Sequence, residues 1–330
     1  MRPRQILGLL MREAGIGLAL ALMAVLFSAF APRFASLANL TNILTQISIN
    51  TVIAVGMTFV ILLGGIDLSV GSVLALATVV GGLVITRGTY PEPVAILLAV
   101  LASVAVGMAC GLFNGFVAER WKIHSFIVTL GMLNIARGAA LQISGSRTIF
   151  SFPAAFDEVG SRTVAGVPLI FVIAVAAVLA GRFILDRTVF GRMIYAIGNN
   201  EEAVRLSGHD PSFYKVAAFT VCGAMVGVAA VMYMMRLAIA SPILGVGFEL
   251  NAIAAVVIGG TSMSGGKGSM IGTFLGACIM GVLNNGLLLL GTGDFARLMV
   301  TGLIIVVAVI IDKYRARAAL QAVAVPGEPG

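Results

Sequence analysis

The chain has 330 residues, of which 59% are hydrophobic and 11% charged, with a mean hydropathy of +1.07 and a net charge of +7. Soluble domains carry about 25% charged residues, so this composition excludes a soluble globular protein and predicts an all-α, polytopic membrane protein. The basic residues cluster at the ends of apolar runs, which argues for contact with membrane lipid and against a nucleic-acid partner.

The chain opens with Arg2, Arg4 and Arg12 ahead of the first apolar run, Ile16–Ala31. Ala29-Phe30-Ala31 resembles a signal-peptide cleavage site, but Pro32 follows it directly, and the run reads as an uncleaved first helix. Nine further apolar segments follow at Ile43–Leu63, Ser69–Thr86, Val94–Ala118, Ser125–Ile143, Val164–Ile184, Phe213–Arg236, Phe248–Gly260, Ser269–Leu290 and Phe295–Ile311. About ten spans result. Phe248–Gly260 is shorter than the roughly 20 residues a crossing needs and reads as a broken helix. With the N-terminus inside, fourteen of the 21 Lys and Arg fall at cytoplasmic ends and five at outer ends, which sets both termini in the cytoplasm. The expected divisions are a cytoplasmic N-terminus (1–15), one transmembrane domain (16–311) with a cytoplasmic loop at about 185–212, and a disordered tail (312–330).

The outer loop Ser144–Thr163 carries Phe150, Phe152 and Phe156, read as an interfacial aromatic belt or as a surface for an external protein. Gly191–Gly208 is the main polar passage of the cytoplasmic side. Asn199 is placed to cap a short helix, with Glu202 three residues on as a capping box requires. Glu201 and Glu202 suit the first turn and Arg205 the last, and Gly208 ends the helix. Ala203, Val204 and Leu206 need an apolar surface, either the chain's own bundle or a partner. On this reading Glu202→Pro breaks the helix.

No chemistry of the catalytic kind is visible. Cys110, Cys222 and Cys278 lie in apolar runs without a CxxC, and His124 and His209 cannot build a metal site alone. Gly260–Ser269, GTSMSGGKGS, fails as a phosphate loop, because Thr261 stands where the first glycine is needed and Gly268 follows Lys267. The chain therefore reads as no enzyme and as having no cofactor, with any ATP used by another chain. Leu63–Ser72 and Ile258–Lys267 share a Gly-Gly step between an apolar run and a glycine-rich helix, a faint internal echo.

Within the membrane segments, Asp67 reads as the N-cap of the helix after it, Ser69 belongs to the same motif, and Glu249 reads as a cap for Phe248–Gly260. Each has a possible second role in gating. Arg137, in the middle of its segment, costs about 3 kcal/mol or more unless it meets the bundle interior, a cavity or backbone carbonyls. Asn50, Asn114, Asn134, Asn284 and Asn285 are buried amides that either join helices or line a path for a neutral, hydroxyl-rich solute.

Four stretches in order, GGIDLSVGS (Gly64–Ser72), FIVTLGMLNIARG (Phe126–Gly138), AIGNNEEAVRLSG (Ala196–Gly208) and Glu249–Thr273, resemble the ribose/xylose/galactoside-type permeases of bacterial ABC importers, from about Asn39 to Ile311. The related branched-chain amino-acid permeases share the architecture. The resemblance implies a multi-pass subunit of the bacterial inner membrane that pairs with a second permease copy. It implies a cytoplasmic ABC ATPase that grips short coupling helices, and a periplasmic binding protein that delivers the sugar. It assigns Asn199, Asn200, Glu201, Glu202, Ala203, Arg205 and Gly208 to ATPase coupling. The chain departs from the family pattern at Asn199, where GGN is usual for 198–200, and at Asn251, where ELDAIA is usual. The alternatives are an ATP-independent facilitator or secondary transporter for a small polar solute, and a permease for another small solute such as branched-chain amino acids.

Overall fold

In the computed structural model, which describes residues 3–88 and 90–323, every one of the ten apolar stretches is helical. They form α1 (Pro3–Phe30), α2 (Leu37–Leu62), α3 (Val70–Thr86), α4 (Glu92–Arg120), α5 (Ser125–Ser144), α7 (Leu169–Arg187), α10 (Pro211–Leu237), α11 (Phe248–Ile258), α12 (Met270–Leu289) and α13 (Asp294–Val323). Eight are long and apolar enough to cross a bilayer, while α3 and α11 are shorter. The protein is thus an all-α, polytopic membrane protein. Between α5 and α7 lie a short helix α6 (Ala154–Ser161) and a two-residue antiparallel hairpin, β1 (Thr163–Val164) with β2 (Val167–Pro168). Between α7 and α10 lie α8 (Val189–Asn199) and α9 (Glu201–Leu206).

At each end of the bundle, segments expected on the same side of the membrane meet. At the outer end Ile149 and Ala240 form a backbone bridge, and Asn39 meets Asn285. At the inner end Gly266 N–H bonds the Leu62 carbonyl, and Ser269 bonds Glu13. This alternation is what ten membrane segments require.

The core is built around α2, which is buried along most of its length, with α10, α12, α7 and α11 against it. The most extensive contact joins α4 and α10. Gly107, Gly111 and Gly115 of α4 stand four residues apart and face Phe219, Gly223 and Gly227 of α10 so closely that a Cβ on Gly107 or Gly223 would strike the other's backbone. Small residues at this spacing bring helix backbones together in lipid, where van der Waals packing drives association.

Several expectations are corrected. The sixth apolar span begins at Leu169 rather than Val164, because Gly166 at φ +82° turns the chain into the hairpin. Phe152 and Phe156 are buried and stack edge to face beneath α6, leaving only Phe150 of the expected belt exposed. The expected tail 312–330 is helical through Val323 as a continuation of α13, and residues 324–330 lie outside the described residues.

Candidate functional site

The polar passage at the inner end is two helices, not one. Asn199 is the last residue of α8, and Asn200 is the N-cap of α9, its Oδ1 accepting from Ala203 N–H at 3.0 Å. The expected Asn199–Glu202 capping box does not form. The reason lies outside the segment: the Asn199 amide donates to the Tyr195 carbonyl at 2.7 Å and to the Gly266 carbonyl at 3.1 Å. With Asn199 taken by the glycine-rich loop, its neighbour caps the next helix. Gly208, at φ +85°, reverses the chain as expected.

A three-way junction results. The C-terminus of α2, the C-terminus of α8 and the loop Gly259–Ser269 meet backbone to backbone. Gly266 N–H donates to the Leu62 carbonyl at 2.8 Å, and Tyr195 Oη donates to the Gly268 carbonyl at 3.0 Å. Burial, aided by the charge of Asp186, pushes the Tyr195 phenol up to about 12, so the hydroxyl stays protonated as a donor at neutral pH. Gly198 sits so close that a Cβ there would strike both Leu62 O and Gly266 N. The two stretches with a faint sequence echo are therefore neighbours here, since Gly265 packs on Gly64.

α9 presents two faces. Val204 is buried in the bundle, whereas Glu202, Ala203 and Leu206 are exposed, Leu206 at 81%. Glu201 bonds Lys215 of α10 at 2.7 Å and Arg205 at 3.3 Å; Lys215 also reaches Glu119 of α4 at 3.1 Å. Arg205 adds Glu202 at 3.1 Å, and Lys122 pairs with Glu119 at 2.9 Å. Glu201 thus anchors α9 to α10 through Lys215, while Arg205 bridges Glu201 and Glu202 within α9. Tyr195, Gly198, Glu119 and Lys215 were not singled out from the sequence. Only the opposite charges of Glu119 and Lys215 carried a signal there.

The remaining candidates separate by location. Asp67 is fully buried but is not an N-cap; α3 begins after Ser69, which has no side-chain cap bond. Asp67 Oδ1 instead accepts from Ser69 N–H at 2.8 Å and from Ser69 Oγ at 2.6 Å. Asn114 donates to Ser69 Oγ at 3.0 Å and lies in this network. Arg137 Nη1 donates to the carbonyls of Pro242 and Leu244, at 2.5 and 2.8 Å, one of the three solutions its position allowed. Glu249 accepts from Gly247 N–H at 3.2 Å at the entry to α11. Asn285 is buried and exchanges two amide bonds with Asn39 at 2.9 and 3.0 Å, which joins α12 to α2. Asn134 is exposed on the outward face of α5 and bonds only the Leu130 carbonyl of its own helix. Asn50 and Asn284 share a cavity of about 240 Å³ with Gln46 and Asn251. Among the described residues, no group of three His, Cys, Asp or Glu side chains is placed to hold a metal ion.

The fold and these sites define a multi-pass membrane transport subunit with an exposed helix pair at one end. The family described as branched-chain amino acid transport system / permease component matches residues 39–309. The ribose import permease protein RbsC of Escherichia coli (strain K12) is 40% identical over 299 residues, covering 89% of this chain and 92% of the relative. RbsC of Bacillus subtilis (strain 168) is 38% identical over 305 residues, 92% and 93% of the two chains. The D-allose transport system permease protein AlsC of E. coli (strain K12) is 37% identical over 295 residues, 89% of each. No solved structure gives a significant match. The chain belongs to this family of permease components. It is a multi-pass inner-membrane transport subunit and not an enzyme.

Proposed function

We propose that the chain is the membrane-spanning permease subunit of an ATP-binding-cassette importer for a monosaccharide. A periplasmic binding protein delivers the sugar and a cytoplasmic ATPase drives the cycle. The chain itself holds no cofactor; ATP is used by the partner. The sugar follows from the ribose and allose permeases to which the chain is similar over nearly its whole length.

The observation that carries the coupling role is the junction of α2, α8 and the Gly259–Ser269 loop. The exposed residues Glu202, Ala203 and Leu206 are the surface for the ATPase, with Asn200 and Gly208 bounding the helix that presents them. Glu201 ties that helix to Lys215 of α10, Arg205 braces it internally through Glu201 and Glu202, and Asn199 ties the adjoining α8 to the glycine-rich loop, so a push on α9 is carried to the inner ends of α2 and α12. Rigid elements joined this way move between discrete arrangements rather than bending continuously.

A second copy of the chain is the partner for α5. Gly131, Asn134, Gly138 and Gln142 lie on one face of this helix and are exposed. Exposed amides and small residues on a membrane helix mark an interface with protein rather than with lipid. Asn134 then faces the path between two copies.

The test is ATP-dependent uptake of D-ribose, D-allose and L-arabinose into proteoliposomes holding this chain, its ATPase and its binding protein. Uptake of one of these sugars only when all three components are present is the expected result. Uptake by this chain alone, without ATP, would instead establish a facilitator.

A further inference from the structure

A half-enclosed cavity of about 240 Å³ lies in the outer half of the bundle, between α2, α10, α11, α12 and α13. Its walls carry four amides, Gln46, Asn50, Asn251 and Asn284, and two guanidinium groups, Arg236 and Arg297. No carboxylate lines it. Arg297 pairs with Asp294, but that carboxylate is 84% exposed and lies outside the cavity. Tyr233 and Phe248 also face it, with ring centroids 6.1 Å apart and planes tilted by 52°.

Two of its polar atoms are buried without a partner: Asn50 Oδ1, an acceptor, and Arg297 Nε, a donor. Buried polar atoms in native structures are ordinarily satisfied, and each exception calls for an occupant or a role. The amide pair that joins α2 to α12 looks different, since Asn39 and Asn285 satisfy each other. An anion without a hydroxyl could accept from the guanidinium groups but could not donate to the Asn50 carbonyl. In either orientation an amide turns an acceptor as well as donors towards the cavity. Only a ligand that both donates and accepts completes the set. A hydroxyl group does both, and an aromatic wall suits the apolar C–H face of a sugar ring.

We propose that this cavity binds a single neutral monosaccharide ring within one permease chain, at the outer side of the bundle. Asn50, Asn251, Asn284 and Gln46 hold the hydroxyls, Arg236 and Arg297 donate to ring and hydroxyl oxygens, and Tyr233 with Phe248 supplies the apolar wall. This rests on the reading that the cargo is a monosaccharide.

The test places a cysteine at the cavity, Asn251→Cys, in a chain whose Cys110, Cys222 and Cys278 are replaced by alanine. The assembled importer in proteoliposomes is treated from outside with a membrane-impermeant methanethiosulfonate. D-Ribose, D-allose or L-arabinose should slow labelling at least about threefold, and adding Asn50→Leu should remove that protection. Should Asn251→Cys not assemble, Asn284→Cys carries the same measurement. Sugar uptake by the cysteine-free parent separates the two claims. Uptake without protection by the transported sugar overturns the cavity site alone, as does protection by inorganic phosphate in place of sugar. Neither uptake nor protection with any of the three sugars overturns the monosaccharide reading and the site together.

Discussion

Gly198→Ala is the sharpest perturbation of the coupling junction. The added Cβ would strike the Leu62 carbonyl oxygen and the Gly266 nitrogen, two backbone atoms that are hydrogen-bonded to each other at 2.8 Å. Neither is the end of a flexible side chain. To fit the methyl, α8 must lift from the loop or the Leu62–Gly266 bond must open. Overpacking a close site costs about 1–3 kcal/mol, which lowers the docked population roughly five- to 150-fold. The exposed residues Glu202, Ala203 and Leu206 are untouched, so co-purification with the ATPase should persist. ATP-driven uptake in proteoliposomes should fall at least about fivefold. Asn199→Ala, which removes the 3.1 Å bond to Gly266 without adding bulk, should give a smaller loss in the same direction. Wild-type uptake by a correctly assembled Gly198→Ala permease would refute the idea that this junction transmits the push.

Leu206→Asp should abolish co-purification with the ATPase while leaving thermal stability in detergent unchanged, because the side chain is 81% exposed; retained binding would remove α9 from the interface. Glu202→Pro, which the sequence pointed to as a helix breaker, should leave α9 folded and thermal stability in detergent unchanged: Glu202 is the second residue of α9, where proline is accepted because the first-turn N–H groups lack helical partners. Loss of uptake in that variant would show that the Glu202 side chain itself is needed. Arg137→Ala should destabilise the permease by about 3 kcal/mol, since two carbonyls lose a charged donor; an unchanged melting temperature in detergent would mean that water replaces it.

The ten membrane segments were legible because hydropathy and charge bias are properties of composition and order. The break between α8 and α9 was not, because Asn199 and Asn200 are equally able to cap a helix. The choice was made by the Gly266 carbonyl, 67 residues away in the chain. The same limit applies to the amides. Asn50 and Asn285 look alike in sequence, yet one faces a cavity and the other has Asn39 within 3 Å. Asp67 was recognised as a backbone-binding residue and does accept from Ser69 N–H, but α3 starts two residues later than an N-cap at 67 requires, so the bond closes a turn ahead of the helix.

Two non-helical stretches explain most of the remaining polar side chains inside the bundle. Ala240 packs beside Gly82 of α3, while Gly245 packs on Gly71, eleven residues and ~16 Å further along that helix. The chain from 240 to 245 therefore dips deep into the membrane before α11 starts, and this is why α11 is only 11 residues long. The stretch 63–69 likewise leads from the end of α2 to the start of α3. Backbone of this kind survives at membrane depth only where its N–H and C=O groups find partners in the protein. Arg137 serves the carbonyls of Pro242 and Leu244, and Glu249 serves the N–H of Gly247. Ser125 Oγ accepts from Ile66 N–H, Thr129 Oγ1 donates to the Ile66 carbonyl, and Asp67 takes Ser69 N–H. Arg137, Glu249 and Asp67 are thereby occupied with holding two broken helices, whereas the amides of the outer cavity and the outward face of α5 hold no such backbone.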